Sequence, residues 1–77
     1  MISKEEAIKL FKEQVPETKI ERIAKYKNGY AAICIGKDYT IFNDISNPYF
    51  YVDNSKKVSR IDTISNLDVF DAFSKED

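Results

Sequence analysis

Residues 30–35 read Tyr-Ala-Ala-Ile-Cys-Ile, six positions without a charged side chain. A strand with one wet face alternates polar and apolar residues. A run with no polar phase has no face to give to water, so it belongs in the centre of a sheet, buried on both faces or closely covered by helix. Its approach is equally marked, because Asn28-Gly29 directly precedes it. Asn-Gly supplies the positive φ angles of a two-residue hairpin turn and is the strongest short-range hairpin signal. Residues 18–27 therefore read as a strand paired with 30–35, although Ile20, Ile23 and Ala24 have helical spacing. Gly29 is expected at positive φ.

The flanks supply the cover. Ser3-Lys4-Glu5-Glu6 fits a capping box, in which the Ser3 hydroxyl accepts from the N–H of Glu6. Ala7, Ile8, Leu10, Phe11 and Val15 then recur at helical spacing until Pro16 ends the run. The reading is a helix over Lys4–Gln14. Residues 39–42 extend the sheet or form a packed loop, and 43–48 are rich in turn formers. Residues 49–52 and 57–61 read as two more strands. Ser65 and Asp68 offer a second capping box before an apolar stripe of Leu67, Val69, Phe70 and Phe73, giving a short helix over 67–74. The expected core is Ile8, Phe11, Ile20, Ile33, Ile35, Tyr51, Val58, Phe70 and Phe73.

Chemistry is narrowed by what the chain contains. With 77 residues it is one domain, and one that buries only about 60 % of its unfolded surface. There is no histidine and one cysteine, Cys34. That removes the commonest general base and any single-chain structural zinc site, and a thiol inside an apolar strand is protonated and inert. The reading is of no enzyme and no cofactor. No run approaches the ~18 apolar residues of a membrane span. The opening MISKEEAIKL carries charges where a signal peptide is apolar, so the expected location is cytoplasmic. Lys outnumbers Arg ten to two, a bias that suggests an AT-rich bacterial or phage genome.

Charge is near neutral overall, at −1, but uneven. Residues 1–61 carry 11 basic and 8 acidic groups, whereas 62–77 carry one basic and five acidic. The acidic end reads as a solvated helix face or a partner-facing surface. Ten residues are Tyr or Phe, which either fill the core or form a binding surface. Lys25, Tyr26, Lys27 and Tyr30 interleave bases with rings around the hairpin. Such a stretch holds single-stranded nucleic acid by phosphate contact and stacking, or is a solvated hairpin whose tyrosines pair across strands. With Tyr39 and Tyr49 these four form the candidate interaction surface. Asp53-Asn54-Ser55 suggests a calcium loop, but Lys56 and Lys57 follow where a glycine and further oxygen ligands are needed. The stretch reads as a bend, with Asp53 accepting from backbone amides ahead of it.

Ser3-Lys4-Glu5-Glu6-Ala7-Ile8-Lys9-Leu10-Phe11, then a strand pair, then the hairpin around Val52-Asp53-Asn54-Ser55-Lys56-Lys57-Val58, resemble the PepSY-type domain over residues 2–61. Lys56 stands where that family's last turn has its glycine. The resemblance implies a non-enzymatic interaction module, of a kind associated with protease inhibition or envelope regulation, with no catalytic residues to carry over.

The expectation is an α+β fold: an N-terminal helix packed on a three- to four-stranded antiparallel sheet, with a short C-terminal helix. The expected function is a protein-binding module, an inhibitor or regulator, meeting a protein partner or a second copy through a sheet edge and exposed tyrosines. The alternatives are nucleic-acid binding through the 25–30 hairpin and a small-ligand sensor. Membrane partners are not expected, and near-neutral charge argues against nucleic acid.

Overall fold

Ser3 starts the fold as read. Its Oγ accepts from the Glu6 N–H at 3.1 Å, and the helix α1 runs over Lys4–Gln14. Pro16 ends it: Val15 leaves helical geometry at φ −123°, its N–H still bonded to the Phe11 carbonyl. The computed structural model describes residues 2–16, 18–36 and 48–75. After α1 come β1 (Thr18–Tyr26), β2 (Gly29–Gly36), β3 (Tyr49–Val52), β4 (Ser59–Arg60) and α2 (Asp68–Lys75). The four strands form one antiparallel sheet in the order β1-β2-β3-β4. The fold is the expected α+β arrangement. The expectation for residues 39–42 lies outside the described residues.

Each face of the sheet carries one helix. Successive strand residues point to opposite faces. Ala32 and Cys34 of β2 and Val52 of β3 pack with Ile2, Ala7 and Phe11 on the α1 side. Ala31 of β2 packs with Ala24, Tyr26, Ile61, Val69 and Phe73 on the α2 side. The apolar run 30–35 is thus central and covered on both faces, and Ala31 and Ala32 have no exposed surface.

The helical spacing of Ile20 and Ile23 has a sheet explanation. β1 and β2 keep one register from Tyr26↔Gly29 to Arg22↔Ile33, then shift so that Ile20 faces Cys34. Glu21 is the extra residue of a β-bulge. In an unbroken strand, residues three apart face opposite ways. The bulge restores Ile20 to the side of Ile23, and both pack on the α1 cluster.

The hairpin turn sits one residue earlier than its sequence signal. Tyr26 pairs with Gly29, so Lys27 and Asn28 make the turn, and Lys27 takes the positive φ, 52°. Gly29 does not have positive φ, contrary to expectation. It is required by proximity, because a Cβ there would collide with the Val52 carbonyl oxygen. The second capping box does not form either. The Ser65 hydroxyl donates to the Asp62 carboxylate at 3.0 Å, and the helix begins at Asp68.

Of the expected core, Phe11 and Phe73 are buried; Ile8, Ile20, Ile33, Ile35, Tyr51 and Val58 are half-buried. Phe70 is 43 % exposed, a correction, because Val69 and Phe73 take the inward positions of α2. The full burial falls instead on small residues, with Ala7, Ala24, Ala31 and Ala32 at or near zero exposure. Small side chains between two helices and a central strand permit close approach, and Phe11, Val52 and Val69 fill the volume around them.

Candidate functional site

The 25–30 hairpin does not present its rings together. Period-two geometry sends Tyr26 to the α2 side and Tyr30 to the α1 side. Tyr26 is 6 % exposed, a correction to its reading as a surface contact. Its hydroxyl donates to the Asp68 carboxylate at 2.7 Å, and its ring meets Tyr51 edge-on at 5.9 Å. Burial, then the hydrogen bond to Asp68 and its negative charge, push the phenol up to about 12. Cross-strand pairing of Tyr26 with Tyr30 does not occur; their partners are Gly29 and Lys25. Tyr30 packs half-buried against the α1 cluster. Tyr49 lies half-buried on the other face, 5.5 Å from Phe70 and 6.0 Å from Phe73 between ring centres. Lys25 and Lys27 are exposed, with the Lys27 ammonium 3.0 Å from the Asn66 side-chain oxygen and over the Tyr26 ring. Tyr39 lies outside the described residues.

The bend at Asp53-Asn54-Ser55-Lys56 is built from its own backbone. Asp53 Oδ1 accepts from the Ser55 N–H at 2.9 Å, and the Asp53 carbonyl accepts from the Lys56 N–H at 2.9 Å. Hydrogen bonds to the carboxylate, led by the Ser55 N–H and then the Ser55 side chain, hold the Asp53 carboxyl below its ordinary range. Gln14 of α1 then anchors the bend. Its amide nitrogen donates to the Lys56 carbonyl at 2.7 Å, and its oxygen accepts from the Val58 N–H at 3.0 Å. Lys56 also reaches Glu6 at 3.3 Å. Asp53 Oδ1 and the Asp53 and Lys56 carbonyls are thus engaged within the bend and its anchor. Cys34 is buried among apolar side chains, which pushes its thiol up to about 11.

The surface feature that remains is on the approach to α2. Ile64, Leu67 and Phe70 follow one another at three-residue intervals and are 85 %, 66 % and 43 % exposed. The loop that carries the first two is tightly braced. Asp62 Oδ1 accepts from the Ile64 N–H at 3.1 Å, Oδ2 from the Ser65 hydroxyl, and the Asp62 carbonyl from the Asn66 amide at 2.8 Å. Asn66 in turn accepts from Lys27 and, through its carbonyl, from the Val69 N–H. Beside this loop lies a groove of about 310 Å³, lined by Tyr26, Tyr51, Ile61, Asp62 and Asn66 among others.

Sequence reading assigned Leu67 and Phe70 to one apolar stripe with Val69 and Phe73. In the eight-residue helix Val69 and Phe73 turn inward and Phe70 outward, while Leu67 precedes the helix. The surplus is visible in the sequence as four large apolar residues within seven positions; which two turn outward depends on the sheet. No family model, curated protein or solved structure matches this chain. Among the described residues, no helix is long and apolar enough to cross a membrane.

Proposed function

We propose that this chain is a non-enzymatic protein-binding module, and that it meets its partner through the ridge of Ile64, Leu67 and Phe70. The observation that carries this reading is the exposure of three large apolar side chains beside two well-filled clusters. Single exposed apolar residues are ordinary, but a run held outward by a hydrogen-bonded loop is a preorganised contact surface. A catalytic role finds no support: the chain has no histidine, and its thiol is buried and protonated at neutral pH. The PepSY-type resemblance adds that its family works by interaction, and the positive φ of Lys56, 63°, suits the place of that family's turn glycine.

The test is a comparison of captures from the native host. Wild-type protein, the Ile64→Ser/Leu67→Ser double variant and the Lys25→Ala/Lys27→Ala double variant are used as bait. A protein retained by wild type and by the lysine variant, but lost from the serine variant, supports the ridge. Retention of nucleic acid that weakens steeply with salt and vanishes in the lysine variant would favour the hairpin instead.

A further inference from the structure

Five asparagines are spread along the chain, and only Asn28 is followed by glycine. That pair carries a reaction of its own. The backbone nitrogen of the following residue attacks the asparagine side-chain carbonyl carbon, and a glycine there has no Cβ to obstruct the approach. A carbon–nitrogen bond forms, and the side-chain nitrogen leaves as ammonia with the proton of the attacking nitrogen. The product is a cyclic imide, which water opens at either carbonyl. One opening leaves aspartate. The other leaves isoaspartate, in which the main chain runs through the former side chain and is one methylene longer. Water is the only co-reactant.

The fold holds the two partners of that step differently. Asn28 is exposed in the turn, beside Asp53, Asn54 and Ser55. Gly29 is buried. It is paired with Tyr26 in the β1–β2 ladder, and it is pressed against the Val52 carbonyl and Asp53 of β3 and its bend. The Asn28 backbone is hydrogen-bonded to the Tyr51 hydroxyl. To close the imide, the planar peptide unit between Asn28 and Gly29 must rotate toward the Asn28 side chain. Tyr26 on one side and β3 on the other oppose that rotation while the register holds. The glycine that close packing requires in the folded chain is thus also what makes Asn28 reactive once the packing is lost.

We infer that Asn28 is a deamidation site gated by the fold. Its amide survives while Tyr26, Val52 and Asp53 hold Gly29, and it converts to aspartate and isoaspartate when the hairpin opens. Isoaspartate lengthens a two-residue turn whose length sets the β1–β2 register, so a chain that opens and reacts does not recover the same pairing. The inference is independent of the ridge.

The experiment incubates the full chain at mildly alkaline pH, in native buffer and in urea. Residue 28 is followed by peptide mapping with mass spectrometry that separates the two acid products. Opening and closing are fast beside deamidation, so the native rate tracks the population of the open form. Asn28 should convert about tenfold or more slowly in native buffer than in urea. In urea it should outpace Asn54 and Asn66, whose following residues, Ser55 and Leu67, carry a Cβ. Phe11→Ala, which empties the α1 cluster, should approach the urea rate in native buffer with no denaturant present. Chains carrying isoaspartate at position 28 should melt lower than Asn28→Asp, which has the same charge and the normal backbone length. Equal wild-type rates in native buffer and in urea overturn the gate. So does a Phe11→Ala chain that is unfolded by circular dichroism yet keeps the native rate; if that variant stays folded, the wild-type comparison decides alone. A rate in urea no faster than that of Asn54 overturns Asn28 as the site. Isoaspartate chains that melt like Asn28→Asp overturn the effect on register.

Discussion

The two faces of the sheet are filled differently. On the α1 side, an 11-residue helix places Ala7 and Phe11 on Ala32, Cys34 and Val52, with no polar side chain in the buried cluster. Its polar contacts lie at the rim, where Gln14 and Glu6 hold the β3–β4 bend. On the α2 side the helix has eight residues, and the cluster contains a tyrosine whose hydroxyl needs an acceptor. There the apolar supply exceeds what the sheet can cover, and Phe70, Leu67 and Ile64 remain outside. Each face buries a cluster of six residues, and the α2 face adds exposed apolar side chains beside its cluster.

The sharpest test of that division is a pair of substitutions. Phe11→Ala removes a fully buried ring from the α1 face and should cost about 3–5 kcal/mol. That is comparable to the whole stability of a small domain, so the variant should be largely unfolded by circular dichroism. Leu67→Ser, an equally apolar position by sequence, should change stability by no more than about 0.5 kcal/mol. If urea denaturation shows Leu67→Ser losing as much as Phe11→Ala, the ridge is core and the two faces are alike.

Gly29 joins the two sides, since it sits where β1, β2 and β3 converge. Its Cβ position is occupied by the Val52 carbonyl, with the Asp53 Cα at 2.8 Å. Both neighbours are backbone and cannot swing aside, so Gly29→Ala should cost about 1–3 kcal/mol or more by forcing β3 away. A melting temperature equal to wild type would mean that β3 lies further off than described.

Much of this is legible in the sequence alone. The capping box, Pro16 and the strand 30–35 are local signals, and they placed α1 and the central strand. What failed depended on partners distant in sequence. Tyr26 looks exposed beside two lysines, yet Asp68, 42 residues away, takes its hydroxyl. The bulge at Glu21 follows from a register that only β2 can set. The alanines carry no hydrophobic signal strong enough to name them as core; their burial comes from lying between two layers. The ridge was half legible: the apolar surplus near α2 was in view, but not which side of it the sheet would take.

Tyr26 tests the polar tie of the α2 face. Tyr26→Phe keeps the ring and removes the bond to Asp68, and should cost about 1.5 kcal/mol, the lower range for a bond to a charged acceptor. The pH dependence has a defined sign. Its phenol is raised from 10.0 to about 12 in the folded chain, so the stability it contributes is complete below pH 10.0 and is lost as pH rises through about 12. Cys34, raised from 9.0 to about 11, adds a similar loss beginning near pH 9.0. Tyr26→Phe should therefore melt lower than wild type at pH 7 and lose less on going to high alkalinity. An unchanged alkaline profile in Tyr26→Phe would show that the hydroxyl is already solvated.

The smallest expected effect is a gain, on the α1 side. Lys56 closes the β3–β4 bend at φ 63°, directly after the turn bond from its N–H to the Asp53 carbonyl. A side chain at that angle costs about 1–2 kcal/mol through contact of its Cβ with the following carbonyl. Glycine avoids the contact but has more freedom to lose on folding, about 0.5–1 kcal/mol. Lys56→Gly should therefore stabilise by about 0.5 kcal/mol before its contact with Glu6 is counted, and that exposed pair contributes about 0–1 kcal/mol. The two contributions are separable. Lys56→Ala loses the ion pair and keeps the Cβ, so the difference between Lys56→Gly and Lys56→Ala isolates the backbone. Urea denaturation at matched ionic strength should find the glycine variant more stable than the alanine variant by about 0.5–1 kcal/mol. Should the alanine variant prove the more stable, Lys56 does not hold a left-handed angle, and the clamp from Gln14 grips a bend of another shape.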